Sequence, residues 1–122
     1  MAENIAAAHG ATAEVDIDHG FPVTVCDGRV TDLAERTAKA LFGEGAWHTM
    51  AHPMMGAEDF SYVLQKVPGA MVFLGATPQG GDWRTCCALH SNRMVIDESV
   101  MARGIAMHCA MAEAMLGSEL EL

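Results

Sequence analysis

Apolar positions along the chain change their period several times, and each change marks a predicted element. Residues 1–9 are alanine-rich, with Ile5 the one strongly apolar side chain after Met1, and they stop at Gly10. Glycine readily takes the left-handed conformation that closes a helix, so the segment reads as the end of one. Over residues 13–18, Val15 and Ile17 alternate with Glu14, Asp16 and Asp18. That is the period of two of a strand with one wet face. His19-Gly20 breaks it, and the β-branched run 21–25 carries Pro22. Proline removes a ladder donor, which predicts an edge strand or a hinge.

From Asp27 the period lengthens. Asp32 with Glu35 three residues on is a capping-box pattern, and Leu33, Thr37, Ala40 and Leu41 share one stripe before Gly43 and Gly45, which predicts an amphipathic helix over 30–42. Residues 47–55 hold two histidines and Pro53 without a clean period, as a short strand running into a loop would. Glu58 and Asp59 then precede Phe60, Val63, Leu64 and Val67 at helical spacing, ended by Pro68-Gly69. Acids at that start favour the positive end of the helix dipole. Residues 70–75 form a continuous apolar run suited to a strand covered on both faces. After a glycine-rich loop at 77–82 and a compact polar and sulfur segment at 86–91, Asp97 is placed to cap a long helix running to Gly117. That helix is apolar on most sides and is expected to pack against the sheet. Helix, strand, helix, strand, helix is an α/β order, with no internal repeat.

Composition limits what such a chain can do. With 122 residues, 51% of them hydrophobic, whole-chain disorder is excluded, and so is a large multidomain enzyme. Sixteen Asp and Glu against seven Lys and Arg give a net charge of -9, a field that repels nucleic acid and anionic lipid. The longest apolar run, 70–76, is far shorter than the ~20 residues that span a bilayer. The first ten residues lack the basic start and apolar core of a secretory signal, so a soluble, cytoplasmic protein is expected. The adjacent pair Cys86-Cys87, with Cys26 and Cys109, does not read as a disulfide framework, and reduced thiols follow.

Candidate chemistry is sparse. His90 lies in a connector after a predicted buried strand, where ligands collect in open α/β sheets, and a neutral imidazole there is a good zinc ligand or a satisfied structural histidine. Cys87 and His90 have a spacing compatible with two ligands of one zinc, with Cys86 as a spare, although nothing else supplies a second pair. His48 and His52 are four apart but lack the intervening glutamate of the HExxH motif, which favours a surface turn. Glu58 and Asp59 form either a pair of working carboxylates or the acidic start of a helix. The ten methionines are expected to fill core gaps.

Several segments taken together are more specific than any one of them. The run Met55-Gly56-Ala57-Glu58-Asp59-Phe60, then Pro68-Gly69-Ala70 leading into Val72-Phe73-Leu74-Gly75, then Leu89-His90-Ser91 before Ile96-Asp97-Glu98, resembles the C-terminal part of metal-dependent amidohydrolases of the hippurate hydrolase and aminoacylase type. These are relatives of the dinuclear-metal carboxypeptidases. Upstream, Ala6-Ala7-Ala8-His9-Gly10-Ala11 with Phe21-Pro22-Val23-Thr24-Val25 is similar to the point where that family's lid domain returns to its catalytic domain.

The resemblance implies an α/β class: residues 1–25 as the last helix and strand of an α+β lid or dimerisation domain, and residues 26–122 as the C-terminal portion of an α/β/α sandwich. It implies two divalent metals, zinc or manganese, in the complete enzyme. It further implies hydrolysis of the amide bond of N-acyl amino acids by a metal-bound water with a glutamate as general base. By position His90 corresponds to the family's last metal ligand, and Glu58 and Asp59 to an acidic loop lining the site. The family often has asparagine where Cys26 stands, and Cys86-Cys87 before His90 departs from its pattern. The other ligands and the base belong to an N-terminal half with no counterpart here, so the chain alone is expected to be inactive, with no tightly bound metal. The competing reading is a non-enzymatic, self-associating or zinc-binding module using Cys86, Cys87 and His90. An open edge at residues 13–17 predicts a homo-oligomer.

Overall fold

In a computed structural model, which describes residues 1–82 and 89–117, regular structure among the described residues is entirely helical. Helix α1 spans Ala2–Ala8, α2 Gly28–Phe42, α3 Phe60–Leu64 and α4 Val100–Leu116, with a 3₁₀ turn at Glu44–Ala46 directly after α2.

Each helix end has a local cause. Helix α1 closes as the alanine-rich pattern predicts: Gly10 takes φ 71°, the Ala11 N–H reaches the Ala6 carbonyl at 2.9 Å and the Gly10 N–H the Ala7 carbonyl at 3.0 Å. This pair of bonds is the Schellman arrangement, open to glycine because it has no Cβ to clash. Helix α2 starts earlier than the capping box at Asp32 predicts. Its cap is Asp27, whose Oδ1 accepts from the Arg29 N–H at 2.9 Å and the Val30 N–H at 3.3 Å. Asp32 therefore lies inside the helix, where it cannot serve the orphan N–H groups of the first turn. Lys39 ties the far end, pairing with Glu35 one turn back at 2.7 Å and Glu44 at 3.7 Å. Asp97 likewise is not the cap of α4. Its Oδ1 accepts from the Ser99 N–H at 3.0 Å in a turn that leads into the helix, which begins at Val100.

The strands expected at 13–18, 21–25, 47–55 and 70–75 are absent among the described residues. A strand is held by the N–H and C=O groups of a neighbour, and only isolated rungs join these segments among the described residues. The Asp27 N–H donates to the Gly69 carbonyl at 2.8 Å, and the Asp97 N–H to the Ala76 carbonyl at 2.9 Å. These rungs lay residues 69–76 beside the start of α2 on one side and the approach to α4 on the other.

Packing follows the same course. Helix α4 packs against α2, with the Arg103 guanidinium 5.6 Å from the Phe42 ring centroid, and a Cβ added at Gly104 would sit 3.4 Å from Leu74 Cδ2. Phe21 meets Tyr62 edge to face, ring centroids 6.0 Å apart. Yet the buried described residues are only Ala34, Ala38 and Ser61. The expectation that methionines fill a core is overturned among the described residues: Met50, Met54, Met55, Met101 and Met115 are all exposed and no methionine is buried. The accessible surface is 10306 Å², where a compact chain of 13.0 kDa exposes about 6300 Å².

Candidate functional site

Glu58 and Asp59 precede α3, and both are exposed. The backbone of Glu58 does structural work: its carbonyl accepts the Ser61 N–H at 3.2 Å and also the Ser61 hydroxyl. Ser61 is thereby buried without an unsatisfied polar atom. Asp59 occupies the N-cap position with helical dihedrals (φ -67°, ψ -24°), and its side chain makes no capping bond. A residue already in the helical region cannot swing its carboxylate back onto the first-turn N–H groups, so Asp59 is not the cap its position suggests. Both carboxylates stand free of the helix they introduce.

His90 is exposed and has φ 71°, the one described non-glycine residue with a positive φ. Histidine is among the side chains that tolerate this region, which occurs in turns and at strained functional positions. The turn continues through Ser91, whose Oγ accepts from the Arg93 N–H at 3.1 Å and whose carbonyl accepts from the Met94 N–H at 3.1 Å. Cys86 and Cys87 lie outside the described residues. His48 and His52 are exposed in an irregular stretch, as the surface-turn reading expects. Among the described residues no three His, Cys, Asp or Glu side chains come together in a group able to hold a metal.

The more built feature is the junction of the 21–27 segment with α3 and the residues after it, which sequence reasoning left unassigned. A groove of ≈ 250 Å³ is lined by Val23, Val25, Ser61, Leu64 and Gln65, and a wider one of ≈ 490 Å³ continues past Cys26 and Asp27 to Pro68 and Gly69. Cys26 clasps the opposing backbone: its Sγ accepts from the Met71 N–H at 3.3 Å and lies 3.9 Å from the Met71 carbonyl. Asp27 beside it accepts from Arg29 Nε at 3.2 Å and Nη2 at 3.0 Å. The hydrogen bond from the Arg29 side chain, with those from the Val30 and Arg29 N–H groups, holds its carboxyl below the usual 3.8. Asp97 is also held low, by side-chain and backbone hydrogen bonds from Ser99 and by the charge of Arg103. A signal for Asp27 exists in the sequence, an Asp directly before a helical stripe, but the capping-box pattern of Asp32 with Glu35 competes with it.

The profile of Peptidase family M20/M25/M40 matches residues 2–114. Similar proteins include "Probable hydrolase sll0100" of Synechocystis sp., 33% identical over 84% of this chain and 25% of its own length. "Thermostable carboxypeptidase 2" of Saccharolobus solfataricus is 31% identical over 92% of this chain and 27% of its own. "IAA-amino acid hydrolase ILR1-like 2" of Arabidopsis thaliana is 31% identical over 88% of this chain and 24% of its own. The chain thus spans about a quarter of the length of these relatives.

Proposed function

The chain belongs to peptidase family M20/M25/M40, and on that premise we propose that it is the C-terminal part of a metal-dependent amidohydrolase acting on N-acyl amino acids of the hippurate type. The observation that carries this reading is the family match over residues 2–114, together with relatives of which this chain covers only about a quarter. Residues 1–25 are then the end of a lid domain and residues 26–122 the closing stretch of an α/β/α catalytic domain. The names of the relatives, a carboxypeptidase and an IAA-amino acid hydrolase among them, support cleavage of a C–N bond next to an amino acid.

A catalytic metal centre needs about three protein ligands per zinc, and the described residues assemble no such donor set. By themselves they do not fit a complete metal site. His90 is one imidazole, a single ligand whose companions and general base lie in the remaining length. Its exposure leaves the ring accessible to such companions, and Glu58 and Asp59 are equally open to line a shared site.

Incubating the purified chain with N-acyl amino acids and zinc or manganese tests the reading. No turnover above buffer is expected, and robust hydrolysis by the chain alone would overturn it. Adding a polypeptide that covers the upstream three-quarters of a relative should restore activity. His90→Ala should then lower it by at least on the order of a hundredfold, since loss of even an outer partner of a metal site can cost that much. Restored activity indifferent to His90 would remove its assignment.

A further inference from the structure

Among the described residues Ser61 is the only one with no exposed surface, at 0%. This chain's own residues supply that burial. Val23 and Val25 line one groove with Ser61, Leu64 and Gln65, and Phe21 of the same segment meets the ring of Tyr62, the residue after Ser61, at 6.0 Å. Both donors of Ser61, its N–H and its hydroxyl, converge on one atom, the Glu58 carbonyl oxygen. That oxygen belongs to the peptide plane between Glu58 and Asp59, and a planar peptide carries the Cα atoms of both residues at its two ends. Fixing the oxygen therefore fixes the roots of both carboxylate side chains. Asp59 makes no capping bond, so the direction of its carboxylate rests on the backbone beneath it.

We propose that Ser61 is a positioning residue: its buried hydroxyl locks the Glu58–Asp59 peptide plane, so that the two carboxylates are presented together at the start of α3. The proposal deepens the amidohydrolase reading and rests on its assignment of Glu58 and Asp59 to the site. Helical serines often return their proton to a carbonyl three or four residues back. Two features set this one apart. The acceptor lies at residue 58, outside a helix that begins at Phe60, so the bond reaches into the connector that carries the carboxylates. The hydroxyl is also fully removed from water, where a hydrogen bond is electrostatically stronger than the same bond at a surface.

Ser61→Ala tests it, because alanine removes the hydroxyl while keeping the N–H bond and nearly the same volume, and circular dichroism should show the helices intact. In the chain alone, NMR relaxation of the Asp59 amide nitrogen reads the motion of the locked plane directly. An order parameter of about 0.85 is expected in the parent, falling toward about 0.6 in Ser61→Ala with α2 unchanged. An unchanged value overturns the proposal, whether or not the amidohydrolase reading holds. The second measurement uses the chain with the upstream polypeptide that restores activity. There Ser61→Ala should lower kcat on the order of tenfold, within the hundredfold that a misplacement of about 1 Å can cost. That loss should vanish when Glu58→Gln and Asp59→Asn are already present, since residues acting through one another are not additive. The same fractional loss in both backgrounds, as a merely structural serine would give, overturns the proposal. Full activity of the chain carrying Glu58→Gln and Asp59→Asn would remove the carboxylates from the site and the proposal with them, and a lowered Asp59 order parameter would then show that the carboxylate assignment failed rather than the lock.

Discussion

Asp27 couples a charge to a helix start, and its behaviour with pH follows from that geometry. The folded-state carboxyl lies below its ordinary 3.8, chiefly through the hydrogen bond from the Arg29 side chain. A group lowered on folding contributes stability that is fully present well above 3.8 and is lost as pH falls through 3.8 and on through the folded value beneath it. The helical signal of α2 should therefore decline in that acid window. Asp27→Asn keeps an acceptor for the Arg29 and Val30 N–H groups while removing the titration, so its helical signal should be flatter there. Identical acid profiles for the two proteins would show that the cap works without its charge. Gly104 offers the opposite kind of test, in the interior of α4. Alanine there should raise stability by about 0.5–1 kcal/mol through helix propensity, provided the Leu74 methyl 3.4 Å from the new Cβ yields slightly. A lowered melting temperature for Gly104→Ala would mean that Leu74 is held too firmly to move. His90, with φ 71°, separates fold from chemistry. Glycine relieves that backbone conformation, so His90→Gly should be at least as stable as the parent while lacking the proposed ligand.

Among the elements, α2 and α1 differ in what supports them. Helix α2 has a side-chain cap, an ion pair one turn apart and two buried alanines on the face it shares with its neighbours. Helix α1 has seven residues, none of them buried, and isolated helices below ~12 residues are marginal in water. Native-state hydrogen exchange should show α2 as the more protected and α1 exchanging near the unfolded rate; strong protection of α1 would reveal a partner for it in solution. The ends of these helices were legible in sequence because Gly10, Gly43 and Gly117 act locally. The starts were less so, since Asp27 and Asp32 are both acceptable caps and only the backbone path decides between them. Strands were legible as patterns at 13–18 and 70–75, but a pattern names a face and not a partner. With one rung at Gly69 and one at Ala76, residues 70–76 keep the composition of a buried strand without the sheet.

At the scale of the whole molecule, surface is the dominant fact. A chain that exposes 10306 Å² with three buried described residues has removed little apolar area from water. The heat-capacity change of unfolding tracks that area, and an ordinary domain of this length would show about 1.5–1.8 kcal/mol/K. A clearly smaller value is expected for this chain as a monomer, together with binding of a hydrophobic dye. Calorimetry giving the full value with no dye binding would mean that the exposed apolar residues find cover in solution. The same surface explains why the candidate site is open. His90, Glu58 and Asp59 project from connecting segments, and the chain spans about a quarter of the relatives' length.

The amino-acid sequence by itself determined the helices, their glycine stops, the acidic charge and the family, because periodicity, capping and ordered motifs are properties of neighbouring residues. Tertiary structure alone decided that Asp27 caps α2, that Cys26 and Asp27 tie onto residues 69–71, and that the strand-like segments form no sheet among the described residues. Those outcomes depend on which distant backbone groups are there to accept or donate a hydrogen bond, and a run of side chains cannot state that.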